Sequence, residues 1–78
     1  MTELERLARS VSDTFGIHHL RALQSLRTYI AGTDDRWLIS EIMEIPEARL
    51  LRSLLEAGLR QPLLDTVLKR AEEFHATE

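Results

Sequence analysis

Apolar residues recur at helical spacing along the chain, and three glycines and two prolines divide the pattern into five segments. Residues three and four apart share one face of a helix, so this spacing indicates amphipathic helices. No stretch shows the alternation of apolar and polar residues that a half-buried strand has. The sequence therefore predicts an all-α fold: a compact bundle of four or five short helices in one domain, residues 1–78.

Helix ends are predicted from residues that satisfy free backbone groups or cannot continue a helix. Thr2 followed by Glu5 fits a capping box at the start of the first helix. Asp34 and Asp35 favour the start of the third, because their oxygens accept from free amides. The other boundaries are expected at glycines that end helices and prolines that begin them: Gly16, Gly32, Gly58, Pro46 and Pro62.

Leucine is unusually frequent, with fourteen in 78 residues, and the fourth and fifth segments carry it in adjacent pairs. Either a homodimer or partner helix covers the excess apolar surface, or a small core simply surrounds the fourth helix. We expect a protein interface on these two helices, with apolar residues at its centre and arginines orienting the partner at its rim: Leu50, Leu54, Leu63, Val67, Arg49 and Arg52.

The single tryptophan, Trp37, lies near the start of the third predicted helix. A tryptophan in such a position usually packs over the edge of a core, and we expect that placement here. The alternative is an anchor in an interface, because tryptophan is enriched among the residues that dominate binding energy.

The charge is acidic overall, since ten Lys and Arg stand against thirteen Asp and Glu, a net charge of −3. This balance is not typical of nucleic-acid-binding proteins. Only the second and fourth segments are positive. Their polar faces are either ordinary solvated surfaces or a basic contact surface for phosphates or an acidic protein.

Residues 37–59, WLISEIMEIPEARLLRSLLEAGL, carry a motif of small and apolar packing residues followed by an IPEAR step and an EAGL ending. This segment resembles the helix-turn-helix core of bacterial winged-helix and related regulators. The resemblance implies that Glu47, Ala48, Arg49, Arg52 and Ser53 face the major groove of DNA, where arginine reads guanine or contacts phosphate. The residues expected on that surface are Arg49, Arg52, Ser53, Arg21, Arg27 and Arg60.

Catalytic and metal-binding patterns are weak. The chain has no cysteine, which excludes disulfides, Cys-ligated zinc and thiol catalysis. His18 and His19 are adjacent and would point about 100° apart on a helix, so they cannot chelate one metal from one face. A chain of this size is also expected to have little room for a substrate pocket of about 300 Å³. We therefore expect no enzyme activity, cofactor, metal site or small-molecule substrate.

The first ten residues lack the apolar region of a secretory signal, and no apolar stretch approaches the roughly 18 residues of a membrane span. These observations favour a cytoplasmic protein that does not bind membranes. The function expected from the sequence is a small non-enzymatic regulator or adaptor that binds a protein partner and self-associates, with a helix-turn-helix DNA-binding regulator as the alternative.

Overall fold

Five α-helices with short connections make up residues 1–76, the part of the chain that the computed structural model describes. Residues 1–76 contain no strand, so the predicted all-α bundle is confirmed. The helices are α1 (Glu3–Ser12), α2 (Gly16–Ala31), α3 (Asp35–Met43), α4 (Ala48–Ala57) and α5 (Gln61–Ala76).

Capping residues and a glycine set several helix ends where the sequence predicts them. Thr2 Oγ1 accepts a hydrogen bond from the amide of Glu5 (3.1 Å) at the start of α1. Asp34 caps α3 in the same way through the amide of Arg36 (2.8 Å). Gly58 ends α4 with φ of 83°, a left-handed backbone that glycine adopts without steric cost.

Three predicted boundaries are displaced. α1 ends at Ser12, and Gly16 is the first residue of α2, with φ of 64°. The left-handed glycine therefore turns the chain between two helices instead of ending the first. Pro46 precedes α4 because Glu47, with an extended backbone, is the N-cap residue. α5 begins one residue before Pro62, whose missing N–H is harmless in a first turn.

The apolar faces of the helices meet in one core, to which α4 contributes its buried face. α4 contacts α1, α2 and α5, and its residues Leu50, Leu51 and Leu54 are at most 2% exposed. These leucines are therefore buried within one chain, while Arg49, Arg52 and Leu55 on the other side of α4 stay exposed. The buried apolar residues are Leu4, Leu7, Ala8, Val11, Leu23, Leu26, Ile30, Leu38, Ile42, Ile45, Leu50, Leu51, Leu54, Ala57, Leu63 and Val67.

A buried carboxylate joins three helices. Glu41 of α3 is 5% exposed; its Oε2 accepts from the amide of Leu4 (3.0 Å) and its Oε1 from the hydroxyl of Tyr29 (2.5 Å). Leu4 lies in the first turn of α1, where free amides and the helix dipole favour a negative charge. Burial and then the bond to Glu41 raise the pKa of Tyr29, so the tyrosine keeps its proton and donates.

Three arginines donate to backbone carbonyls at or just beyond the ends of other helices. Such carbonyls have no partner within their own helix and are satisfied by side chains or water. Each arginine thus fixes the end of one helix against a residue from elsewhere in the chain. The pairs are Arg27 with the carbonyl of Ala57 (3.1 Å), Arg60 with that of Ile30 (3.2 Å) and Arg70 with that of Ile45 (2.9 Å).

Replacing Leu54 by alanine should lower the free energy of unfolding by about 2–5 kcal/mol, because it leaves a cavity at the centre of the core. The neighbouring Leu55 is 42% exposed, and its replacement by alanine should cost less than about 1 kcal/mol. Urea denaturation followed by circular dichroism at 222 nm measures both. Equal losses for the two variants would contradict the central position of Leu54.

Candidate interaction surface

The four apolar residues predicted to form an interface on α4 and α5 lie in the core. α4 and α5 pack on each other and turn their apolar stripes toward α1, α2 and α3. A side chain without exposed area cannot contact a partner, so the prediction of an interface at these positions is wrong. Each of the four is 0% exposed: Leu50, Leu54, Leu63 and Val67.

Arg49, predicted both at the interface rim and on the nucleic-acid surface, is engaged within the chain. It donates to the hydroxyl of Ser12 (2.7 Å) and pairs with the carboxylates of Asp13 (3.0 Å) and Glu47 (2.9 Å). Two carboxylates surround one guanidinium, so the start of α4 does not present a net positive charge.

Of the other four arginines predicted on these surfaces, two contact other residues of the chain and two do not. Arg60 pairs with Asp35, and Arg27 holds the end of α4. Arg21 and Arg52 are exposed, and their side chains form no hydrogen bond or ion pair with residues 1–76. The structure therefore leaves two of the five arginines without a hydrogen-bond or ion-pair partner among residues 1–76.

The segment that resembles a helix-turn-helix consists of α3, the connection of residues 44–47 and α4. Ser53, expected to face DNA, is 5% exposed; that placement is wrong, because α4 turns this residue toward the core. Arg52 lies on the exposed side of the same helix. No contact within the described residues tests whether the resemblance extends to DNA binding, which stays a prediction.

Three large apolar side chains are exposed together around the start of α2. Phe15 is 86% exposed, Ile17 60% and Leu20 65%, and the exposed Arg21 follows them directly. We name Phe15, Ile17, Leu20 and Arg21 the α2 outer surface. Covering one large apolar side chain is worth about 1.5–3 kcal/mol, so this surface gains free energy when a partner buries it.

The backbone conformation at the start of α2 requires Gly16 but does not require an apolar side chain at position 15. Phe15 is the N-cap residue, with an extended backbone, and its side chain makes no capping hydrogen bond. Ser, Thr, Asp or Asn would stabilise that position by accepting from a free amide. Gly16 is required, because its φ of 64° would strain another residue. The turn needs the glycine, whereas the phenylalanine contributes neither a cap nor a core contact.

Helical spacing would place Phe15 with the apolar residues of the first segment and Leu20 with those of the second, but both side chains are exposed. α1 ends at Ser12, so Phe15 lies outside the helix whose period it seemed to continue. At 100° per residue, Leu20 lies about 90° and Ile17 about 150° from the centre of the buried face of α2. An angular count along α2 would have identified Ile17 as facing outward.

Trp37 is 63% exposed, so its predicted placement over the core edge is wrong. With Tyr29, Glu41 and other residues it lines an open cavity of about 340 Å³, and a second groove of about 520 Å³ lies between α1 and α2. The expectation that a chain of this size has little room for such volumes is therefore also wrong.

His19 connects the turn beside the α2 outer surface to α1 and α4. Its Nδ1 lies 3.0 Å from the carbonyl oxygen of Val11, and its Nε2 lies 2.5 Å from Oε2 of Glu56. A carbonyl and a carboxylate only accept, so both contacts are hydrogen bonds when both ring nitrogens carry protons. The bond to Glu56 raises the pKa of His19 above its ordinary 6.5, against a smaller lowering by desolvation.

Comparison with protein-family models, curated proteins and solved structures gave no match for this chain. Among residues 1–76, no helix combines the length and apolar character needed to cross a bilayer. The same residues contain no group of three or more His, Cys, Asp or Glu side chains that could hold a metal ion. The exposed side chains and their charges are therefore the observations that bear on function.

Replacing Glu56 by glutamine should lower the pKa of His19, as measured by NMR titration of the imidazole ring. Because folding raises this pKa, the stabilisation is present below pH 6.5 and is lost as the pH rises through the folded-state value. The unfolding free energy of the natural chain should therefore decline more than that of Glu56→Gln between about pH 5.5 and pH 8.5.

Glu72→Gln is the matched control, since Glu72 is exposed on α5 and its side chain makes no contact with His19. This variant should keep the pKa of His19 and the pH dependence of the natural chain. If Glu56→Gln behaves like Glu72→Gln in both measurements, the hydrogen bond between His19 and Glu56 does not control the titration.

Proposed function

We propose that this chain is a small non-enzymatic regulator or adaptor that acts by binding another protein, with the α2 outer surface as its contact site. The observation that carries the proposal is the joint exposure of Phe15, Ile17 and Leu20. Interface cores are enriched in aromatic side chains and arginine, and a few buried residues carry most of the binding energy. The α2 outer surface has this composition within seven consecutive residues.

The fold does not need these apolar side chains. α2 is held to the core by Leu23, Leu26 and Ile30, each at most 6% exposed, and its C-terminal end receives donors from Arg60. An exposed phenylalanine stabilises neither the core nor the helix start. Contact with a partner protein gives these residues a physical role.

The partner in this proposal is a different protein. Leu50, Leu54 and Leu63, which favoured self-association in the sequence, are buried within one chain, so these three positions no longer support a homodimer. Two copies joined symmetrically through the α2 outer surface would also bring Arg21 of each copy toward the same region. Self-association is therefore the weaker form of the interaction hypothesis.

Photo-crosslinking in the cells that make this protein tests the proposal. Benzoylphenylalanine in place of Leu20 should give a covalent adduct of one defined mass, because the side chain would lie inside the interface. Leu68 is 49% exposed on α5, and the same replacement there is the matched control, which should give no such adduct.

A competition step shows whether the adduct depends on the proposed surface. Excess natural chain should suppress the adduct from position 20, whereas excess chain carrying Ile17→Ser should suppress it less. An absence of adducts, or the same adducts from positions 20 and 68, would contradict the proposal.

A further inference from the structure

The exposed side of α2 continues beyond the α2 outer surface as one stripe along the helix. At 100° per residue, Ile17, Leu20, Gln24 and Ala31 fall within an arc of about 60°, and all four are exposed. With a rise of 1.5 Å per residue, the stripe is about 20 Å long. Its N-terminal half is apolar, Gln24 is its one polar residue, and it ends at the small side chain of Ala31.

Only positive charge borders this stripe within α2. The helix, GIHHLRALQSLRTYIA, contains no Asp or Glu, and Arg21 and Arg27 flank the stripe on opposite sides at 100° per residue. Arg21 has no partner among residues 1–76, and Arg27 donates to a backbone carbonyl rather than to a carboxylate. Neither guanidinium charge is neutralised by a carboxylate in an ion pair of the described residues.

Carboxylates from neighbouring elements are already paired. Glu56 of α4 bonds with His19, and Asp13, in the turn before α2, pairs with Arg49. The arginines of α2 therefore border an apolar stripe without an intramolecular carboxylate partner, and a partner protein is the remaining source of one.

We infer that the α2 outer surface binds an amphipathic helix of a partner protein whose apolar stripe is flanked by Asp or Glu. This inference rests on the proposed function and specifies the partner. Apolar side chains on the partner helix would pack on Phe15, Ile17 and Leu20, and its carboxylates would lie beside Arg21 and Arg27. A helix fits better than an added strand, because residues 1–76 offer no sheet edge.

Charge argues against a second copy of this chain as the occupant. Packing α2 on α2 would place four arginines around one interface, and α2 supplies no carboxylate to neutralise them. Like charges across an interface suppress association, whereas opposite charges accelerate and orient it.

Two designed peptides of eighteen residues test the inference. Both carry leucine at helical spacing, and the flanking positions are glutamate in one peptide and lysine in the other. Titrated into the ¹⁵N-labelled full chain, the glutamate peptide should shift the amide resonances of residues 15–31 and bind more tightly at low salt than at high salt. The lysine peptide should bind more weakly or not at all.

Arginine variants then locate the charge effect. Arg21→Gln should weaken binding of the glutamate peptide about two- to fivefold, as expected for an exposed charge pair. Arg36→Gln is the matched control, because Arg36 is exposed on α3 and its side chain has no partner in the described residues; it should change the affinity little.

The outcomes separate the partner chemistry from the proposed function. Equal binding of both peptides at residues 15–31 would overturn the acidic partner and leave the apolar contact site in place. Binding of neither peptide, or shifts confined to other helices, would also overturn the inference, and the crosslinking experiment at position 20 would then decide the proposed function by itself. A dimer of the free chain in sedimentation equilibrium, abolished by Leu20→Ser, would identify a second copy as the occupant and overturn the inference.

Discussion

The burial of one face of α4 against three neighbouring helices is the constraint on which the rest of this small fold depends. Its leucines pack against α1, α2 and α5, and each buried leucine stabilises the fold by about 1.5–3 kcal/mol. Because this face meets the apolar faces of its neighbours, a chain of 78 residues forms one hydrophobic core. Phe15, Ile17 and Leu20 are among the large apolar side chains that stay outside this core, and a partner can reach them.

Polar contacts between helices fix how the bundle is assembled around α4. Glu41 bonds the first turn of α1 and the hydroxyl of Tyr29 from a buried position, where a carboxylate without partners would be costly. Three arginines bond the carbonyls near the ends of other helices. Most of the positive charge that suggested nucleic-acid binding is thus used in structural contacts, and Arg21 remains among the exceptions.

Local signals in the sequence predict the five helices because caps and breakers act within a few residues, as at Thr2, Asp34 and Gly58. Whether a given helix face packs on another helix or faces solvent depends on long-range packing. The spacing of apolar residues within one helix does not determine it. Leu54 and Leu20 both recur at helical spacing with other apolar residues of their helices, yet one is 0% and the other 65% exposed. Four of the residues predicted at an interface on α4 and α5 therefore lie in the core instead. The buried Glu41 could not be recognised as an interhelical ligand from the sequence, since its partners lie 12 and 37 residues away.

The division of apolar residues between core and surface is the central claim, and hydroxyl-radical footprinting read by mass spectrometry tests it most directly. Comparing the oxidation rate of one leucine with that of another removes differences in the intrinsic reactivity of side chains toward hydroxyl radicals. The structure predicts that Leu20 is oxidised much faster than Leu54 and Leu63 in the folded chain, and that Phe15 reacts readily as well. Fast oxidation of Leu54 or Leu63 together with protection of Leu20 would reverse the assignment of core and contact surface and contradict the account.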